Sequence, residues 1–446
     1  MSKKLTPKLE EQTHPARLWV PDPKQENRVT CHLSPRHCSI GEGGLGFCGV
    51  RRNIGGKLVT LNYGKSVEPT EEVIETEAVF HFSPGERILS LGNIGCMMAC
   101  DFCQNWQTSQ ARLARDKDIS INTPEQVVEM AEQLGIRVLS WTYNDPVVWH
   151  EFVTDTARLA QKKGIMNLYK SAFYIGPEAI AELVEVMDIF SISLKAMSEE
   201  FYLKHTGGRL QPVLDGIKQV YASGKHLELS NLMVTGRNDN LEESAKIAKW
   251  MMENLNENIP LHYVRFHPDY KYNKVERTDI AFMEKARQQA KDIGLKNVYL
   301  GNVSESEALN TVCSCGEILV KRFGLRAEMH LKEGKCAKCG ADAGIKLLPK
   351  QTRVTDVPSE IPFTSHVDHV WDADRLSVHI EVSDGAPVFY QPLGTDGKPL
   401  NGFRMSAGKR LMVSRSHPKE HTLRVFYEKA EPRILALMDR AYFPVR

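Results

Sequence analysis

Cys96, Cys100 and Cys103 fall within the short stretch "LGNIGCMMACDFCQNWQ", at spacings of four and three. Thiols grouped this closely suggest metal ligation in a reducing compartment, against the plainer alternative of three buried or coincidental cysteines, and their number narrows the chemistry. A structural zinc takes four protein ligands in a tetrahedron, so this trio is one short. A four-iron cubane has four corners. Three thiolates leave one iron free to meet something other than protein. The remaining cysteines form two further groups, Cys31, Cys38 and Cys48, and Cys313, Cys315, Cys336 and Cys339, separated by long cysteine-free spans. Such a distribution suggests metal sites rather than disulfides.

The last group reads as two knuckles, "CSCG" and "CAKCG", with 20 residues between Cys315 and Cys336. A glycine after each pair permits the tight turn that lets backbone amides face thiolate sulfur. Structural zinc is the first expectation. The one-residue spacer of the first knuckle departs from a zinc ribbon, so a second iron–sulfur cluster stays open.

Positioning the central trio falls to a β/α pattern. From Ile88 onward, apolar runs such as "ILSLGNI", "IRVLSWTY", "GIMNLYKS", "DIFSISLK", "HLELSNLMV", "LHYVRFH" and "NVYLGN" alternate with stretches of helical period. This predicts an α/β fold with a partial or complete (β/α) TIM-like barrel, or an open parallel sheet. Helix starts are well marked: Thr123 can cap, Pro124 suits the first helical position, Gln126 completes a capping box and Gly135 closes the helix. In β/α units chemistry collects at the carboxyl ends of strands. Those ends read "GNIGCMMACDFC", "WTYNDP", "KSAF", "SISLKA", "NLMVTGRND" and "RFHPDYKYNK", polar and aromatic enough to share one pocket. The last places Arg265, His267, Asp269 and Lys271 within seven residues.

The rest of the chain differs in kind. Residues 1–80 form a Gly- and Cys-rich region of loops around a small site, with a short strand over Lys57–Tyr63. The barrel is expected over 81–305 and the cysteine knuckles over 306–348. A small, mainly β domain is expected over 349–446, with turns at Asp384-Gly385 and Asp396-Gly397 and a helix over Glu431–Met438. A chain of 446 residues exceeds one ordinary core, which agrees with several modules. With 57 basic and 56 acidic residues the net charge is +1, so no global field attracts nucleic acid or an anionic membrane. The first residues lack the apolar core of a secretory signal, and no run approaches a membrane span. A cytoplasmic location is expected.

Beyond these patterns, "GCMMACDFCQNWQ" resembles the three-cysteine motif of the radical S-adenosylmethionine (SAM) enzymes. "HLSPRHCSIGEGGLGFCGVRRN", "WTYNDPVVWHEF", "SLKAMSEEFY", "NLMVTGRNDN", "RFHPDYKYN" and "YLGNVSESEALNTVCSCG" look like successive landmarks of one branch, the AmmeMemoRadiSam system radical SAM enzymes, akin to the activating enzymes of pyruvate formate-lyase. The resemblance covers roughly residues 28–345. It implies an oxidoreductase with a [4Fe-4S] cluster on Cys96, Cys100 and Cys103, whose fourth iron chelates the amino and carboxylate groups of SAM. One electron then cleaves the sulfonium to methionine and a 5′-deoxyadenosyl radical that abstracts a substrate hydrogen. It implies Phe102 near the adenine, and Tyr143, Asn144 and Asp145 at the cofactor amino group, with Asp145 standing where relatives commonly have Glu. Capping of the following turn is the plainer role for Asp145. Lys195 is expected to reach the cofactor carboxylate or the substrate, although Ser193 replaces the acid usual there. Arg265 and His267 are expected to join the catalytic pocket.

Near the start, relatives tend to carry four cysteines, and this chain has Ser34 where the second would be. Either Cys31, Cys38 and Cys48 hold a metal with His37 or His32, or that site has lost its metal. The implied partners are an unidentified substrate, small molecule or protein, and an electron donor such as flavodoxin or ferredoxin. Memo-type or Amme-type pathway proteins are implied as well. Competing functions are a glycyl-radical-type protein activase, transfer of a 3-amino-3-carboxypropyl group from SAM, and a metal-stabilised non-catalytic interaction protein. Near-neutral charge and polar strand ends disfavour the last.

Overall fold

A computed structural model describes residues 4–304, 306–349, 361–371, 377–383, 385–386, 388–400, 404–406, 410–414 and 419–436. The chain forms two compact units, Met1–Pro69 with Ser90–Val298, and Thr70–Leu89 with Tyr299–Arg446.

The first unit is built on an α/β sheet. Its strands are β1 (Arg87–Gly92), on which the chain enters the unit, β2 (Val138–Thr142), β3 (Met166–Ser171), β4 (Ile189–Ser193), β5 (His226–Met233) and β6 (Leu261–Arg265). They lie side by side in chain order, and β2 to β6 pair in parallel. Helices α1 (Pro124–Gln133), α2 (His150–Lys162), α3 (Pro177–Val186), α4 (Leu210–Ala222), α5 (Leu241–Asn254) and α6 (Ile280–Ile293) connect them. The capping box at α1 forms as the sequence predicts: Gln126 N donates to Thr123 Oγ1 at 3.3 Å, and Thr123 N to Gln126 Oε1 at 2.9 Å.

Strand β2 is buried throughout, which accounts for its nearly unbroken apolar run. One face of the sheet meets the helices: Asn167 Nδ2 donates to Ala157 O of α2, and Tyr263 OH to Ser244 O of α5. Alternation therefore turns Lys170, Ser191 and Glu228, which are register partners across β3, β4 and β5, to the inner face. Ser193, Ser230 and His262 form the next inner row.

The Gly- and Cys-rich start contributes two small sheets, one of His14–Pro15, Lys57–Thr60 and Arg51–Ile54, the other of Trp19–Pro21, Val29–Cys31 and Ser39–Ile40. The strand expected to reach Tyr63 ends at Thr60.

In the second unit, Ile318–Phe323 pairs with Thr311–Val312 and Arg326–Met329 beside the knuckles. The mainly β remainder has Ser365–Val370, Thr422–Tyr427, Val388–Leu393 and Arg404–Ser406 in one sheet. Ser377–Glu381 lies between Arg410–Ser414 and Arg433–Ala436 in another, and Val378, Ile380, Val388, Leu411, Leu423 and Val425 fill the core. Tyr390 and Tyr427 pack against that core. The helix expected over Glu431–Met438 is instead a strand at Arg433–Ala436, and residues 437 and 438 lie outside the described residues, as does Asp384. Pairing with Ser377–Glu381 and seating of Ile434 on the core outweigh the local helical period. Among the described residues, no helix is long and apolar enough to cross a membrane.

Candidate active site and metal centre

Strand β1 delivers the cysteine loop through two glycines that nothing larger can replace. A Cβ on Gly92 would stand 2.5 Å from Tyr143 Cδ2, and one on Gly95 2.9 Å from Val50 Cγ1. Gly95 also has φ +92°, a conformation side chains avoid. Cys96, Cys100 and Cys103 follow, each partly accessible at its residue surface. Met98 N donates to Cys96 Sγ at 3.4 Å, and Cys103 Sγ lies 3.4 Å from Ser109 Oγ.

Burial pushes all three thiols up. Cys96 is raised well above the ordinary range, with the Asp145 carboxylate adding to burial. Cys100 is pushed up to about 12 by burial although Lys195 opposes it, and Cys103 is raised by burial against its hydrogen bond to Ser109. Burial thus disfavours the thiolate form at each of the three. The same couplings bring Asp145 and Lys195, from the ends of β2 and β4, into the field of the trio.

The segment after β2 is fixed in an uncommon shape. Tyr143 has φ +66°, and its carbonyl accepts from Asn105 Nδ2 at 3.0 Å. Asn144 Nδ2 donates to Asn93 O and, at 3.0 Å, to Thr108 Oγ1. Asp145 does cap the turn Pro146–Trp149: its Oδ1 accepts from Val147 N at 3.3 Å and from Ser171 Oγ at 2.7 Å. Its Oδ2 and the Asn144 Oδ1 are buried and have no hydrogen-bond partner. Burial raises the Asp145 carboxyl against the pull of Ser171, Val147 and Lys195. Two buried acceptors without donors call for a ligand that donates, which an ammonium group does.

Phe102 is buried, its ring 6.0 Å from that of Phe201. Lys195 sits just beyond β4, where its backbone N donates to Tyr202 OH at 3.0 Å. Arg265 Nε donates to Thr278 O at 2.9 Å, and His267 is buried. Asp269 raises Cys103 electrostatically, which ties the end of β6 to the trio.

The sequence did not single out Asp101, His205 and Arg237, yet Asp101 accepts from Arg237 Nη1 and Nη2, the latter at 2.9 Å, with His205 Nδ1 3.3 Å away. It also missed the inner face of the sheet. Lys170 Nζ donates to Ser191 Oγ at 3.0 Å and Ser230 Oγ at 2.9 Å, and Glu228 lies between His226 and His262 at 2.9 and 2.7 Å. The signal was present as polar residues at alternate positions of otherwise apolar strands.

Cys313, Cys315, Cys336 and Cys339 bring their sulfurs within 4.8 Å of one another, a set able to hold a metal ion. Cys313 Sγ is 3.5 Å from Cys339 Sγ, and Cys315 Sγ 3.7 Å from Cys336 Sγ. Gly316 and Gly340 take φ +86° and +74°, closing the two knuckles as their sequence suggests. The backbone N–H of Cys315 draws the Cys313 thiol down to about 6, against burial and with help from the neighbouring thiols. Among the described residues, Cys31, Cys38, Cys48 and His37 do not gather their ligand atoms this way. Cys48 is pushed up to about 11 by burial, Arg51 Nη1 lies 3.5 Å from Cys31 Sγ, and His37 Nδ1 faces His32 Nδ1 at 3.1 Å. Ser34 is buried at the position of the absent thiol.

Residues 91–251 match the Radical SAM superfamily. The chain is 37% identical over 326 residues to "Uncharacterized protein MJ0808" of Methanocaldococcus jannaschii, an alignment covering 72% of this chain and 97% of that one. It is 22% identical over 233 residues to the pyruvate formate-lyase 1-activating enzyme of Escherichia coli, covering 48% of this chain and 93% of that enzyme. A crystal structure of a domain of the pyruvate-formate lyase-activating enzyme from Bacteroides vulgatus superposes with a TM-score of 0.33 at 15% identity, over 36% of this chain and 97% of that one. The chain belongs to the Radical SAM superfamily and is a radical SAM enzyme.

Proposed function

We propose that this enzyme holds a [4Fe-4S] cluster on Cys96, Cys100 and Cys103 and binds SAM against the end of β2. When bound, cluster and cofactor supply a one-electron reductive cleavage of the sulfonium, giving methionine and a 5′-deoxyadenosyl radical for hydrogen abstraction. The observation that carries the reading is the pair of buried, partnerless acceptors Asp145 Oδ2 and Asn144 Oδ1 beside the trio. An ammonium donates to both. Asp145 thus joins the roles of turn cap and cofactor ligand, one on each carboxylate oxygen. Tyr143 holds the segment in place, Phe102 offers an aromatic face to the adenine, and Lys195 supplies positive charge for the cofactor carboxylate. Arg265 and His267 serve the substrate side.

The reductant is a flavodoxin or ferredoxin in a reducing cytoplasm. Similarity to the activating enzyme and the AmmeMemoRadiSam landmarks support a substrate that is either a protein site or a metabolite shared with Memo-type or Amme-type partners. The hydroxyl- and charge-lined inner face of the sheet favours a hydrogen-bonding substrate group over an alkyl chain.

At the knuckles the metal is zinc. A tetrahedron with Zn–S bonds of about 2.3 Å has edges of about 3.8 Å, close to the observed 3.5 and 3.7 Å. Anaerobic reconstitution tests both sites. The wild type is expected to take up four irons at the trio and one zinc at the knuckles, in line with the general cluster and zinc chemistry. Unchanged iron content after replacing Cys96, Cys100 and Cys103 with Ala would overturn the cluster assignment.

A further inference from the structure

Asp101 lies between two of the cysteines and is gripped from three directions. Arg237, in the loop after β5, presents both Nη atoms to its carboxylate in a fork, the geometry that makes guanidinium–carboxylate pairs strong and directional. The guanidinium carbon stands 3.5 Å above the Tyr272 ring and 5.8 Å from the Phe102 ring. Tyr272 is itself anchored by donating its hydroxyl to Thr235 O at 3.0 Å. From the π-helical turn Tyr202–Thr206, Thr206 O accepts from Ala99 N at 2.9 Å and His205 O from Asp101 N at 3.2 Å. From the loop after β6, Lys271 N donates to Asp101 O at 3.0 Å. Loops following three different strands thus converge on one short piece of the cysteine loop.

We propose that the Asp101–Arg237 pair is a positioning device that holds the cysteine loop in its ligating shape before any metal arrives and sets the charge beside the bound cluster. The second half rests on the cluster reading above; the first does not. Arg237 is a positioning residue, since it touches Asp101 and two rings but none of the ligating sulfurs. The fork that Arg237 Nη1 and Nη2 make to the two carboxylate oxygens of Asp101 is the geometry of an ion pair. With Arg237 only 10% and Asp101 28% exposed, solvent screens it incompletely. An ionic pair adds no net charge next to the cluster. Removing either member does, with opposite signs.

The test has two arms. In iron-free protein, hydrogen exchange at the Ala99 and Asp101 amides reads the loop directly. Wild type is expected to protect both. Arg237→Gln and Asp101→Asn should each speed exchange on the order of tenfold, and the double variant should be no faster than either single one, because both delete the same interaction. Unprotected wild-type amides, or exchange unaltered by Arg237→Gln, overturn the device. In reconstituted protein, Arg237→Gln leaves an unpaired carboxylate and should lower the cluster midpoint potential, while Asp101→Asn leaves an unpaired guanidinium and should raise it. Arg237→Lys keeps the charge and loses the fork, so its potential should stay near wild type while its loop exchanges faster. Shifts of the same sign in Arg237→Gln and Asp101→Asn overturn the charge role. If wild type takes up no iron, the cluster reading fails, and the exchange arm still decides the positioning role.

Discussion

Ser171, at the end of β3, donates its hydroxyl to Asp145 Oδ1 at 2.7 Å and so fixes which carboxylate oxygen is left over. The remaining Oδ2 is buried without a hydrogen-bond partner, and the carboxylate's charge is felt at Cys96. A charge-assisted hydrogen bond to an ammonium contributes about 1.5–3 kcal/mol. Asp145→Asn is therefore expected to weaken SAM binding roughly 10- to 100-fold while leaving iron content unchanged, as read by calorimetric titration and iron assay. Unchanged affinity would reduce Asp145 to the cap of Pro146–Trp149.

Gly95 makes a second, independent demand. Gly95→Ala adds strain at φ +92° and a Cβ 3.0 Å from Cys48 O. A loss of about 2 kcal/mol or more is expected, seen as a lower Tm together with poorer iron uptake. A variant with unchanged Tm would show that the loop relaxes freely.

Glu228 gives the fold a pH signature. Burial opposes its ionisation, but hydrogen bonds from His226 and His262 prevail and hold the carboxyl well below its usual range. Its folded pKa lies below the unfolded one, so this stabilisation is complete above the unfolded value and is lost as pH falls from there toward the folded value. Tm should decline on acidification below about pH 4.5. Glu228→Gln should lower stability at neutral pH by about 3 kcal/mol and flatten that acid decline. An equally steep decline in the variant would assign it to other carboxylates.

The knuckle cysteines should titrate separately from the trio. Cys336→Ser is expected to release one metal equivalent and lower the Tm of the second unit while iron at the trio persists, as mass spectrometry of native protein would show. Loss of iron in place of zinc would instead assign a second iron–sulfur cluster.

The β/α order, the α1 capping box, the knuckle turns and the three-cysteine loop were all legible because each rests on local chemistry with a fixed spacing. Asp145 was legible as a turn cap for the same reason, since it stands at a strand end directly before a proline; its role toward the cofactor rests on the family resemblance. Arg237 was not, since its partner is 136 positions away and only the meeting of two loops reveals the pair. The polar inner rows were hidden too. Lys170, Ser191 and Glu228 become neighbours through strand register, which periodicity within one strand does not specify. Arg433–Ala436 was misread as helix because the strand it pairs with lies more than 50 residues earlier. At Cys31 the serine in place of a fourth thiol was visible, and the structure adds that Ser34 is buried.

The most direct test is product analysis of reconstituted protein given SAM and a strong one-electron reductant under anaerobic conditions. The account predicts 5′-deoxyadenosine in the wild type and none when Cys96, Cys100 and Cys103 are replaced by Ala. A fully iron-loaded wild type that yields no 5′-deoxyadenosine, or yields 5′-methylthioadenosine in its place, would contradict it.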